Sequence, residues 1–209
     1  YTLDLYKKLE KEVDHSAGLR LNGALSIAQT NSRWQELKRQ ATTAQLYDVD
    51  IDILDSDTIK KRYPMMHTED LKGGVLMSGD GAADPSGVTH MLAKAARKGG
   101  AKIFEQSPVE KILIKNKRVH GAKVNGQIIE CEYIVLATGM WSRQIGEKIN
   151  VSIPLYPAEH FYVITEPIED LSKTLPVIRD FDSSVYFKED AGKLLIADGF
   201  NQTEKILSK

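Results

Sequence analysis

The feature that most constrains this sequence is Tyr133-Ile134-Val135-Leu136-Ala137, an unbroken apolar run that ends at Thr138-Gly139. Five apolar residues without polar alternation describe a strand covered on both faces, as in a parallel sheet packed between helices. Gly139 has no Cβ, so the backbone there can come close to a group bound at the carboxyl edge of such a sheet. Read alone, the same residues also describe an ordinary strand followed by a tight turn. The preceding stretch narrows the choice. Strand patterns at residues 109–114, 119–124 and 128–131 are separated by Asn116-Lys117 and Asn125-Gly126, pairs that accept the positive φ of hairpin turns. The apolar run therefore follows a three-stranded meander.

Before the meander, Asp84-Pro85 supplies an N-cap acceptor and a proline whose missing N–H would have been unpaired at a helix start. Val88, Met91, Leu92, Ala95 and Ala96 form the expected buried stripe, and Gly99-Gly100 ends the helix. The flanking regions are richer in strands. Leu3, Tyr6, Leu9 and Val13 mark an opening helix. Leu19-Arg20-Leu21 and Ala24-Leu25-Ser26-Ile27 read as paired strands about an Asn22-Gly23 turn. Trp34, Leu37, Ala41 and Ala44 recur at helical spacing, residues 49–53 alternate as a half-buried strand, and Asp55-Ser56-Asp57 caps a short helix through Lys61 that Pro64 prevents from continuing. Residues 74–77 form a further strand. After Val151 come a strand at 161–165 and a hairpin of 185–188 with 194–197 across Asp190-Ala191-Gly192. Strand-rich segments thus bracket a helix, a meander and a buried strand. This is an α+β pattern for a discontinuous two-part architecture rather than two domains in series.

The 28 basic and 29 acidic residues leave a formal net charge of -1, so no overall field holds a nucleic acid or an anionic membrane surface. A single cysteine, Cys131, forms no internal disulfide, and no Cys/His cluster has metal-ligand spacing. A reducing, cytoplasmic compartment is the expectation. No apolar run is long enough to span a bilayer. The opening helix has no start signal, and at the other end residues 194–197 lead into Asp198-Gly199-Phe200 and a charged tail, so both ends read as cuts through a longer chain.

The nearest imitation of a dinucleotide fingerprint is Gly79-Asp80-Gly81-Ala82-Ala83-Asp84. Asp84 replaces the third glycine and would put a carboxylate at the helix N-terminus where a pyrophosphate should lie, and Asp80 adds a second negative charge. The segment reads as a capped turn, not as a phosphate site.

The series Asp80-Gly81-Ala82-Ala83-Asp84-Pro85, the meander from Val109, Ala137-Thr138-Gly139-Met140-Trp141-Ser142, and the stretch from Pro154 through Glu159-His160-Phe161-Tyr162 to Glu166 resembles the dimethylglycine and sarcosine dehydrogenase family. Leu175-Pro176-Val177-Ile178-Arg179-Asp180 and Val185-Tyr186-Phe187 continue the resemblance. It implies a D-amino-acid-oxidase-like fold, in which a mixed-sheet substrate domain interrupts a Rossmann-type FAD domain. Residues 1–83 and 151–209 would be substrate domain, and 84–150 an inner part of the FAD domain. By the same resemblance, Val109 lies where the backbone contacts the adenine, and Ala137, Thr138, Gly139 and Trp141 lie along the flavin.

His160, read alone, is a packed histidine in an aromatic stretch, and Tyr186 a cross-strand aromatic. The resemblance gives them catalytic positions, His160 facing the flavin to handle a proton or orient an amine and Tyr186 placing the substrate. Arg179-Asp180 reads as a structural ion pair, with a carboxylate-binding role for Arg179 as the alternative. His15, His67, His90 and His120 match no family position.

The implied reaction is oxidation of an N-methyl amino acid by hydride transfer to FAD, giving an iminium and a one-carbon unit that folate would accept if a separate domain provides for it. Two rivals stay open: another D-amino-acid-oxidase-like FAD oxidase, and a non-catalytic substrate-domain fragment. Because the sequence offers no glycine-rich phosphate turn, the isolated 209-residue chain is expected to purify colourless. Absorbance spectroscopy checks this, and stoichiometric flavin in the preparation would contradict it.

Overall fold

The computed structural model describes residues 1–198; the Gly199-Phe200 segment and the charged tail lie outside the described residues. In chain order the elements are α1 (Thr2–Val13), β1 (Ala24–Ala28), α2 (Asn31–Gln45), β2 (Asp52–Leu54), α3 (Ser56–Arg62), β3 (Gly73–Met77), α4 (Pro85–Lys98), β4 (Val109–Lys115), β5 (Arg118–Val124) and β6 (Gln127–Glu130). A 3-10 turn at Gly139–Trp141 follows, then α5 (Ser142–Glu147), β7 (Tyr162–Ile164), β8 (Val177–Asp180), β9 (Val185–Asp190) and β10 (Lys193–Asp198). The fold is a mixed α/β one, as the sequence pattern predicts.

The chain divides into two compact units, Tyr1–Gly99 with the residues from His160 onward, and Gly100–Glu159. Within the first, seven strands form one sheet in the order β2-β3-β1-β8-β9-β10-β7. Every neighbouring pair is antiparallel except β1 with β8, which run parallel with Ala24 opposite Val177 and Ile27 opposite Asp180. On one face Leu25, Ile27, Leu54, Ile59, Leu71 and Leu76 form a buried cluster. On the other, Ala28 and Val75 pack under Leu37 and Ala41 of α2. Helices α1 and α4 pack together through Val13, Ala17 and Met91. The second unit contains the meander β4-β5-β6. Its turns are those expected, with Asn116 and Lys117 at φ 52° and 61° and Asn125 and Gly126 at 48° and 77°.

Helix α4 also follows its sequence signals. The Asp84 carboxylate accepts hydrogen bonds from the backbone N–H groups of Ser86 and Gly87, and Gly99 is the C-cap. The carboxylate occupies the helix N-terminus. The buried stripe is narrower than expected, because Val88, Met91 and Ala95 face α1 whereas Leu92 and Ala96 are exposed. One partner helix covers only one strip of surface.

Three expectations need correction. First, Asn22-Gly23 does not reverse the chain. Arg20 exchanges backbone hydrogen bonds with Ala82, while β1 pairs with β3 and β8. Asn22 donates its side-chain amide to the Leu175 carbonyl, and Gly23, at φ +88°, donates to Asp80 O at 2.9 Å and accepts from Val177 N at 3.0 Å. The pair bends one continuous segment between partners on both sides. Second, the strand expected at 49–53 is reduced to β2, which begins at Asp52. Third, residues 133–137 are not a strand. They are unpaired, with Ile134 and Leu136 half-buried and Tyr133 and Val135 86% and 89% exposed. A strand requires a hydrogen-bonded neighbour, and none of the described residues pairs with this run.

The turn between β8 and β9 anchors the sheet to α2. Asp182 accepts from Gln29 N at 2.9 Å, Thr30 N at 3.2 Å, the Thr30 hydroxyl at 3.2 Å and Arg33 Nε at 3.4 Å. Buried Asp180 accepts from Gln29 Nε2 at 3.0 Å and from the N–H groups of Asp182 and Ser183. Burial pushes the Asp182 carboxyl up, but these hydrogen bonds outweigh it and hold it below its usual range. A depressed folded-state value stabilises the fold above the unfolded value of about 3.9 and is lost as pH falls through the folded value. Asp182→Ala is expected to cost roughly 1–3 kcal/mol at pH 7, lowering Tm by about 3–10 °C. Thermal unfolding against pH checks this: the gap to the unsubstituted chain should narrow below about pH 4. An unchanged gap at lower pH would contradict the ionic account.

Candidate functional site

Cross-strand register places the candidate catalytic residues. Tyr186 of β9 is directly opposite Arg179 of β8 on one side and Ala197 of β10 on the other, and Ala197 is opposite Tyr162 of β7. Directly opposed residues share a face, and the side-chain period of two puts Lys188 on that face as well. The neighbours Ile178 and Phe187 point the other way, where they line an apolar cavity of about 270 Å³ with Ile27, Tyr63, Met66 and Leu194. One face of the sheet is therefore greasy and recessed. The other presents two tyrosines, an arginine and a lysine.

The His160 ring lies against Tyr186, with centroids 6.2 Å apart and planes 10° from parallel. The structure thus brings His160 and Tyr186 together although they lie 26 positions apart in the chain. The stack sits at an open surface, since His160 and Tyr162 are exposed and Tyr186 is half-buried. Arg179 does not pair with Asp180, whose carboxylate is engaged by Gln29, Asp182 and Ser183. Its Nη2 lies 4.0 Å from Asp80 instead.

Strand β9 is fixed from its far end. Glu189, 3% exposed, forms an ion pair with Arg20 and accepts from Gly192 N at 2.8 Å, while Arg20 Nη2 also donates to the Glu189 carbonyl at 3.0 Å. The Gly192 bond holds the Glu189 carboxyl below its usual range against the opposing effect of burial, and Arg20 adds to the lowering. This clasp lies three residues from Tyr186 and sets its strand against the loop before β1. The sequence reading missed it, because nothing local links residues 20 and 189. Lys188 was also missed, though its signal was present: Tyr186 and Lys188 have the same parity in a predicted strand.

The residues assigned to cofactor contact all lie in the second unit. Val109 and Thr138 line one cavity of about 210 Å³ with Ile134, Leu136, Ile145 and Lys148. Thr138 and Ser142 hydroxyls are 2.8 Å apart. Gly139 has φ +52° with open space where a Cβ would be, so a side chain there would meet a conformational penalty, not a clash. Ala137 is exposed, and so is Trp141, in the 3-10 turn. The mostly apolar lining of this cleft has the character an aromatic ring requires, but the cleft is small for a whole dinucleotide, since drug-sized ligands occupy about 300–1,000 Å³. The Asp84 cap excludes a pyrophosphate from the N-terminus of α4.

Comparison with known proteins agrees with this architecture. The chain is 34% identical over 196 residues to 4-methylaminobutanoate oxidase (formaldehyde-forming) of Paenarthrobacter nicotinovorans, covering 94% of the chain and 24% of that protein. It is 34% identical over 187 residues to mitochondrial sarcosine dehydrogenase of Homo sapiens, covering 87% and 20%. It is also 31% identical over 208 residues to the mitochondrial pyruvate dehydrogenase phosphatase regulatory subunit of Mus musculus, covering 98% and 24%. The chain thus spans about a quarter or less of these relatives. Among solved structures, L-proline dehydrogenase from P. horikoshii superposes with a TM-score of 0.85 at 26% identity, over 94% of this chain and 53% of that one. A family model described as FAD dependent oxidoreductase matches residues 1–206, and the chain belongs to that family.

Proposed function

We propose that this chain carries the substrate face of a flavoenzyme that oxidises N-methylated amino acids. The observation that supports the reading best is the His160–Tyr186 stack on an exposed sheet face, in a chain resembling enzymes named for two N-methylated amino acids. On this reading residues 84–150 serve the cofactor and residues 1–83 and 151–209 the substrate. Val109, Ala137, Thr138, Gly139 and Trp141 would hold parts of FAD. When bound, FAD supplies the two-electron acceptor for the reaction.

The protein's own work is positional and protonic. An amine must be neutral before its adjacent carbon can lose a hydride, and histidine is the side chain that exchanges a proton near neutral pH. His160 takes the ammonium proton or holds the free amine, while the Tyr186 hydroxyl fixes the amine's orientation. Loss of hydride from the N-methyl or neighbouring carbon leaves an iminium. Water adds to its carbon and the C–N bond breaks; where the N-methyl carbon was the one oxidised, this releases the demethylated amine and a one-carbon aldehyde. Folate would accept that unit where a further domain of the complete protein binds it.

The compartment follows less directly. Cys131 as the sole cysteine suits the cytoplasm, while two of the relatives are mitochondrial by name. Among the described residues no helix is long and apolar enough to cross a membrane.

A second reading, a regulatory module without catalysis, is favoured by the similarity to the phosphatase regulatory subunit. The superposition on L-proline dehydrogenase keeps a related amine oxidation in view. Anaerobic stopped-flow reduction of the flavin in the complete protein separates these readings. His160→Ala and Tyr186→Phe should each slow reduction by an N-methylated amino acid about 10- to 100-fold, with FAD retained and Tm little changed. Wild-type rates in both folded variants would remove them from the mechanism. Absence of reduction by any amine in the unsubstituted protein would favour the regulatory reading.

A further inference from the structure

We propose that the apolar cavity behind the Tyr186 face is a binding site for an uncharged two-ring aromatic molecule carrying one hydroxyl or N–H group, with Tyr63 as its hydrogen-bonding partner. The site lies on the other side of the sheet from the His160–Tyr186 stack and stands whether or not those two residues act in catalysis.

The sheet builds its floor. Ile27, Ile178, Phe187 and Leu194 come from four strands and share one face. Two loops add the walls, each held by its own hydrogen bonds. Lys60 Nζ donates to the carbonyls of Pro64 and Met66, both at 2.9 Å, and so pins the turn that presents Tyr63, Met65 and Met66. In the loop before β8, Leu171 N donates to Ile168 O at 3.3 Å and the Asn22 amide donates to the Leu175 carbonyl. Both leucines line the cavity. Walls fixed in this way lose little conformational freedom when a ligand enters.

The lining selects the occupant. None of the lining side chains carries a charge, so an ion or a zwitterion would give up its hydration there without gaining a partner. The methionine thioethers and the Phe187 and Tyr63 rings are favourable neighbours for an aromatic ring. Met65, 58% exposed, leaves apolar surface in water that an occupant would cover. Size sets the number of rings. An apolar cavity of about 150 Å³ holds benzene, and this one is about 270 Å³. The polar group follows from Tyr63, whose hydroxyl is the one polar side-chain group in the lining and has no hydrogen-bond partner among the described residues. Burial pushes the Tyr63 phenol up, against the opposing charge of Arg62, so it stays neutral and can both donate and accept.

Calorimetric titration of the complete protein with 2-naphthol, a neutral probe, and with 2-naphthoate, its carboxylate counterpart, tests the assignment. 2-Naphthol should bind saturably, with Kd of about 1 mM or below and a negative heat-capacity change, and 2-naphthoate should not displace it. Tyr63→Phe should weaken 2-naphthol roughly threefold to tenfold, the scale of one neutral hydrogen bond, with Tm little changed. Leu175→Trp, which fills the cavity, should abolish binding, and His160→Ala should leave it unchanged. No saturable binding to the complete protein, as when its own chain or a second copy covers the cavity, would overturn the proposal. Equal affinities in the unsubstituted protein and Tyr63→Phe, or in folded Leu175→Trp, would do the same. Displacement by 2-naphthoate, or loss of binding in His160→Ala, would put the probe on the opposite face and overturn it as well.

Discussion

The parallel pairing of β1 with β8 is the constraint on which the sheet depends. It joins residues 24–27 to 177–180, a contact with a large loop-closure cost and no local turn to guide it. Two carboxylates secure the join. Asp180 ties its own turn to Gln29, and Asp182 binds the backbone where β1 leads into α2. Without this junction, β8, β9, β10 and β7 would have no support from the buried layers around Leu25 and Leu37. Arg20 and Glu189 repeat the strategy further along, again linking the beginning of the chain to its end through a charge. Arg179 and Tyr186, a cross-strand pair, lie between these two clasps.

What was legible in the sequence follows from how far each signal reaches. The Asp84 cap, the Asn-centred turns of the meander and the β9–β10 hairpin are settled by neighbours within a few residues, and the structure has them as read. Asn22-Gly23 carried the same local signal and misled. Its amide and backbone bond to Leu175, Asp80 and Val177, partners that no local pattern announces. The run at 133–137 shows a different limit. Its composition specifies what it would prefer to lie between, while pairing depends on neighbours that none of the described residues supplies. Its burial alternates, Ile134 and Leu136 inward, where composition suggested cover on both faces.

The candidate site divides in the same way. The likeness of the motifs to known enzymes singled out His160 and Tyr186, and the described geometry stacks their rings. No spacing rule alone would have paired them. Arg179 was ambiguous in the sequence because Asp180 follows it, and adjacent strand residues point to opposite faces. The fold settles its partner: Asp180 turns to Gln29, while Arg179 remains beside Tyr186. A buried carboxylate serving the scaffold and an exposed guanidinium are thus neighbours in sequence.

On the proposed function, this aromatic and cationic face, rather than the apolar cavity behind it, receives an N-methylated amino acid. A crystal structure of the complete FAD-bound protein with a non-oxidisable carboxylate analogue of such a substrate tests it most directly. The expected result is ligand density in contact with the His160 and Tyr186 rings. Density in the cavity lined by Tyr63, Met66 and Phe187, with that face empty, would contradict it.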